Sequence, residues 1–146
     1  NYIQKKLIDI NYHIYGSTKY LEEYGHPKNS SELAKHKFIS YGRGAPSPVF
    51  NPDWALKLGM KDNKKRRSSM KVNSIMGLLL AVESGVGIAA LPDYLVSLSS
   101  NLIKLIPSEE GPITEAYFVY PESLKNVARV QAFRNFLYSK ISEWKF

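Results

Sequence analysis

Apolar positions along this chain switch between the period of a strand and that of a helix, and one stretch shows both. In residues 68–92, SSMKVNSIMGLLLAVESGVGIAALP, Met70 and Val72 alternate as in a strand, and Ile75, Leu78, Leu79 and Val82 recur at i, i+3, i+4 and i+7, one buried helical face. Residues 86–91 are apolar apart from Gly87, which predicts a buried parallel strand. Asn73 and Ser74 are helix N-cap types, and Gly85 stands where a left-handed glycine would close the helix. The pattern is strand, helix, strand, with the helix leaving a strand's carboxyl end. In an open α/β sheet that edge is where ligands bind, and the unpaired N–H groups of a first helical turn favour an anion or a carbonyl.

The same periods divide the rest of the chain. Residues 3–10 alternate imperfectly and predict an edge strand, and residues 12–15 a second short strand. Gly16 opens a turn, Ser17 caps a helix over residues 18–24, and Gly25 ends it. Asn29 or Ser30 caps another short helix, with Glu32 at its positive end and Leu33 inward. Residues 38–41 read as a strand, and two prolines make residues 42–48 a loop. Residues 54–58 alternate as a strand, 59–67 as a basic turn and 68–72 as a strand, together suggesting a sheet with an antiparallel insertion. Beyond the central stretch, a short helix is predicted over 93–99 with Asp93 at its positive end, and strands over 101–106 and 113–120. A final helix over 126–144 is expected to bury Val127, Val130, Phe133, Leu137, Ile141 and Trp144. The order of elements predicts an α/β protein with at least part of its sheet parallel.

Composition narrows the function classes. A chain of 146 residues holds one ordinary domain, or one lobe and part of another. Without cysteine there are no disulfides, thiolate metal sites or cysteine nucleophile. His13, His26 and His36 lack ligand spacing and read as surface or turn residues, so no metal or other cofactor is expected. No apolar run approaches the roughly 20 residues of a membrane span, and the first residues lack the order of a signal peptide, so a cytoplasmic location without membrane contact is expected. The net charge of +7 owes much to Lys57, Lys61, Lys64, Lys65, Arg66, Arg67 and Lys71. Such a cluster is either a phosphate-contacting patch or a solvated turn; no aromatic residue interleaves to stack on bases.

Motifs for bond-making chemistry are missing: there is no GxSxG, GxGxxG, Walker loop or HExxH. The glycines of Gly85-Val86-Gly87 follow a helix and precede a strand, the reverse of a dinucleotide fingerprint. What remains is the polar helix start Asn73-Ser74, facing a strand end that contributes Ser40, Tyr41, Gly42 and Arg43. That set offers hydrogen-bond donors and positive potential without a base or nucleophile, so it predicts binding and not catalysis.

The run Val72-Asn73-Ser74 followed by residues 81–92, AVESGVGIAALP, resembles the NS…A…AGxGIAxLP pattern of LysR-type transcriptional regulator effector-binding domains. Residues 15–21, Gly25-His26-Pro27, Glu32-Leu33, His36, Trp54, residues 102–105, Tyr120-Pro121, Arg129-Val130, Ala132-Phe133 and Phe136-Leu137 are similar to further family features in the same order. The resemblance implies a periplasmic-binding-protein-like (type 2) fold, with one complete Rossmann-like subdomain over residues 12–106. Residues 1–11 and 107–146 would supply part of the other subdomain and the crossover segments. It further implies a small, anionic effector held between the subdomains, no enzymatic activity, operator DNA bound only through an N-terminal helix-turn-helix outside these residues, and a homodimeric or homotetrameric full-length protein. The family's Ser-Pro before the last helix is replaced here by Val127-Ala128. A solute-binding protein of a transport system, with the same two-lobed architecture, is the alternative reading.

Overall fold

The computed structural model describes residues 1–42, 53–99 and 101–145. In chain order these form β1 (Tyr2–Ile10), β2 (Tyr12–Ser17), α1 (Thr18–Tyr24), a 3-10 segment (Ser30–Lys35), β3 (Ile39–Tyr41), α2 (Trp54–Lys57), β4 (Met70–Val72), α3 (Ile75–Glu83), β5 (Ala89–Pro92), α4 (Asp93–Val96), β6 (Leu102–Leu105), β7 (Thr114–Pro121) and α5 (Ala128–Ser142), besides a short turn at Glu122–Leu124.

Local chemistry explains the boundaries. The Ser17 hydroxyl accepts the Tyr20 N–H at 3.3 Å, and the Asn29 side chain accepts from Ser31 and Glu32. Each supplies an acceptor to orphan donors of a first turn. At the end of α3, Gly85 has φ 82°, its N–H reaches the Val82 carbonyl, and the Val86 N–H reaches that of Ala81. This is the paired bonding of a Schellman stop, which requires the left-handed residue that glycine supplies at least cost.

Strand β2 lies between β5 and β6, antiparallel to both. A parallel bridge between Phe38 and Ile88 joins β5 to β3, which pairs in parallel with β4, giving the order β4-β3-β5-β2-β6. Two apolar layers cover this sheet. Ile14, Tyr20, Leu21, Leu33, Phe38 and Leu56 belong to one buried cluster, with α1 and α2; Tyr15, Ile39, Leu78, Val82, Leu91 and Leu95 belong to the other, with α3 and α4. Apart from them, β1 and β7 form an antiparallel pair, with an irregularity in register between Lys6 and Ile8.

Five expectations need correction. Gly16 opens no turn but continues β2, where it pairs with Ile103. Residues 54–58 do not form a strand: Trp54–Lys57 is a single helical turn burying Ala55 and Leu56, too short to show a helical period. The neighbouring strands are not an antiparallel insertion, because β3 and β4 are parallel and joined by a long connection. The strand after Gly87 is parallel only through its bridge to Phe38; its main partner, β2, is antiparallel. Helix α5 forms, but none of its described residues is fully buried, and Phe133 stays 53% exposed.

Candidate functional site

Because β3 and β4 are parallel and in register, Tyr41 opposite Val72, their carboxyl ends arrive side by side. The Gly42 N–H donates to the Val72 carbonyl at 2.8 Å, which sets Gly42 beside the start of α3. There the Ser74 hydroxyl accepts the Gly77 N–H at 2.9 Å and the Ser74 carbonyl accepts that of Leu78 at 3.0 Å. The N–H groups of Ile75 and Met76 are the first-turn donors ahead of that cap. Asn73 and Ser74 are exposed, and Met76 is 49% exposed, so the positive end of the helix opens to solvent.

The predicted residues divide at this edge. Tyr41 is half-buried against the α3 core, its phenol pushed up by burial and by the nearby phenols of Tyr12 and Tyr94. Ser40 points to the opposite face, where its hydroxyl lies 2.6 Å from that of Ser68, because successive strand residues alternate in direction. It lines a cavity of about 20 Å³ among Phe38, Ala55, Leu56 and Leu78. Gly42 has its N–H committed to Val72 and contributes close approach only. Arg43 lies outside the described residues.

Tyr12 and Tyr94 belong to the same edge and were not legible as such. Tyr12 opens β2 opposite Pro92, the last residue of β5, and Tyr94 follows two positions later. Burial raises the Tyr12 phenol, and a hydrogen bond with the Thr114 side chain opposes that rise. The signal that could have found them is topological: an aromatic at the start of an antiparallel central strand falls at the carboxyl edge of its neighbours.

Beneath this edge lies a buried polar cluster. The Asp93 carboxylate is 2.8 Å from His13 Nδ1 and accepts the Tyr15 hydroxyl at 2.7 Å and the Lys104 ammonium at 3.1 Å. Burial alone would raise the Asp93 carboxyl, but bonds from Tyr15, His13 and Lys104 outweigh it and hold the group below the ordinary range. Burial, then Asp93, push the Tyr15 phenol well above its usual range, so it remains a donor. His13 is therefore not a surface or turn residue: it is 5% exposed, held by a partner 80 positions away. With every carboxylate oxygen engaged, the cluster fixes α4 to the sheet and has no open position for a substrate.

Among the described residues the edge thus supplies an amide, a hydroxyl, helix N–H donors and phenols, without a nucleophile beside a base. Among the described residues no group of three or more His, Asp or Glu could hold a metal ion, and no helix is long and apolar enough to cross a membrane.

Residues 1–141 match the LysR substrate binding domain. An uncharacterized HTH-type transcriptional regulator of Haemophilus influenzae is 28% identical over 126 residues, 82% of this chain and 41% of that protein. The regulatory domain of CrgA, a LysR-type transcriptional regulator from Neisseria meningitidis, superposes with a TM-score of 0.77 at 24% identity, over 96% of this chain and 69% of that one. The regulatory domain of AphB from Vibrio vulnificus does so with a TM-score of 0.68 at 18% identity, over 94% of this chain and 69% of its own. The chain spans less than half the length of the curated relative, and the fold is that of LysR regulatory domains, of the periplasmic-binding-protein-like type 2 class. On the match across residues 1–141, this chain belongs to the LysR substrate-binding domain family of transcriptional regulators.

Proposed function

We propose that this chain senses a small anionic metabolite at the carboxyl edge of β3 and β4, and that the bound molecule controls DNA binding and transcription by the full-length regulator. The observation that carries the reading is the first turn of α3, open to solvent with Asn73 and Ser74 exposed beside Tyr41. A carboxylate, sulfate or phosphate placed there would take the N–H groups of Ile75 and Met76, the Asn73 amide and the Ser74 hydroxyl proton, with Tyr41 as a wall. Residues 12–106 would form one subdomain, and residues 1–11 and 107–146 part of the second, the ligand lying between them. Binding that favours one angle between the subdomains would bias how the DNA-binding parts of a homodimer or homotetramer are arranged, in proportion to its differential affinity for the two states. The relatives matched above are transcriptional regulators, which favours this reading over a transport carrier.

Calorimetric titration of the complete regulatory domain with a panel of carboxylates, sulfate and phosphate tests the site. Asn73→Ala is expected to weaken a genuine ligand by about tenfold or more, the worth of a hydrogen bond to a charged group. Unchanged affinity of every hit in Asn73→Ala would remove the assignment.

A further inference from the structure

The chain's positive charge is concentrated in one place. Residues 57–71 hold seven of its twenty Lys and Arg and one of its thirteen Asp and Glu, so they carry +6 of the total +7. Apart from Lys71 within β4, this charge lies away from the candidate effector site. The loop over residues 59–67 leads into the amino end of β4, whereas Asn73 follows its carboxyl end, about 10 Å of strand away.

The loop is a built structure. Gly59, at φ 70°, packs so closely on the 3-10 segment that a Cβ there would lie 2.2 Å from the Ser30 carbonyl oxygen. Asp62 and Asn63 both adopt left-handed backbone, at φ 56° and 55°. The Arg66 N–H donates to the Leu56 carbonyl, and its guanidinium donates to the carbonyls of Ala55 and Leu58 while lying 4.7 Å from the centre of the Phe38 ring. Lys65 is paired with Asp53. Two of the cations therefore hold the loop in shape. Lys61, Lys64, Arg67 and Lys71 are exposed, and among the described residues no carboxylate pairs with them.

We infer that this loop, together with Lys71 of the adjoining β4, is a docking surface for the phosphate backbone of duplex DNA, separate from the operator-reading helix-turn-helix of the full-length regulator. Exposed, unpaired cations on a loop whose backbone is held in shape, with Lys71 on the adjoining strand, suit a polyanion, whose condensed counterions they release. Duplex is favoured over single-stranded nucleic acid because residues 57–71 contain no Phe, Tyr or Trp, and the Phe38 ring is covered by Arg66. DNA is favoured over an acidic protein because the family consists of transcriptional regulators. In such a protein the duplex is held near this domain at high effective concentration, so a weak contact is sufficient.

The test is fluorescence anisotropy of this chain with a random-sequence duplex across a salt series. Four phosphate contacts predict a slope of log affinity against log salt of about −3 to −4. K61Q/K64Q/R67Q should reduce that slope by about 3 and weaken binding at ~50 mM salt by about tenfold or more. K5Q/K19Q/K125Q, exposed cations on other elements, should leave affinity within about twofold. Equal unfolding midpoints for the two variants exclude a folding defect as the cause. Absence of salt-dependent binding, or equal loss in both variants, overturns the inference. So does displacement of the duplex by polyglutamate at equal charge concentration, which would make the surface one for an acidic protein.

Discussion

The stretch from β2 to β6 and the pair β1 and β7 with α5 have similar apolar patterning and opposite burial. In the first, Leu33, Val82, Ile88 and Leu91 are all at 0% exposure, and both sheet faces are covered. In the second, Tyr120 is the one fully buried residue described, and Leu7, Ile8, Ile10, Ala116, Leu137 and Ile141 line an open groove of about 380 Å³. Periodicity reports which face of an element is apolar; whether that face is buried depends on what is packed against it.

That contrast is broken most severely by removing a core ring. Phe38→Ala, at a 1% exposed position that also carries Arg66 on its ring, should lower the unfolding free energy by about 4 kcal/mol in denaturant titrations. Phe133→Ala on α5 should cost less than about 1 kcal/mol, since half of that ring is already in water. Similar losses from both would show that the two regions are equally packed.

The second effect belongs to Asp93, which holds β2, α4 and β6 together. Asp93→Asn removes a buried charge bonded to His13, Tyr15 and Lys104 and should cost about 3 kcal/mol near neutral pH. The native carboxyl is depressed, so its contribution is present above the unfolded value of about 3.9 and is lost as pH falls through the lower folded value. Stability of the native chain should therefore drop below about pH 4, with a shallower fall in Asp93→Asn. An unchanged acid limb would remove the cluster from the account of stability.

How much was legible in sequence follows from the range of each interaction. Caps act within one turn, so Ser17, the choice of Asn29 or Ser30, and the pair Asn73 and Ser74 marked where helical segments start, Asn29 and Ser74 being the residues that cap them, and Gly85 marked the stop of α3. Partners far away in sequence left no local trace: His13 meets Asp93 across 80 residues, and the parallel pairing of β3 with β4 spans a connection whose alternating residues 54–58 form a helical turn. At the candidate site, Tyr41, Gly42, Asn73 and Ser74 come together, whereas the Ser40 hydroxyl faces the other side of the sheet, as the alternation of neighbours on a strand requires. Tyr12 and Tyr94 required the strand order.

A smaller effect separates the cap from the ligand role of Ser74. Ser74→Ala should cost about 1 kcal/mol by leaving the Gly77 N–H unpaired, while Ser74→Gly should cost only a few tenths. If both lose ligand affinity equally, the hydroxyl touches the ligand; if only the alanine variant does, its role is to hold the helix end in shape.

The smallest effect concerns an aromatic contact between the two regions, the one stacked pair across them among the described residues. The Tyr94 ring, beside the candidate site, stacks on Trp144 with centroids 6.2 Å apart and planes 13° apart, and both line the apolar groove. Trp144 is 52% exposed, so solvent limits what the contact contributes. A double-mutant cycle with Tyr94→Leu and Trp144→Leu should give a coupling of about 0.5 kcal/mol, the lower end for aromatic pairs. A coupling near zero would leave the two regions independent at this contact. A value above about 1.5 kcal/mol would mean that the segment following α5 is energetically linked to the site edge, and ligand affinity should then fall in Trp144→Leu although that side chain never touches the ligand.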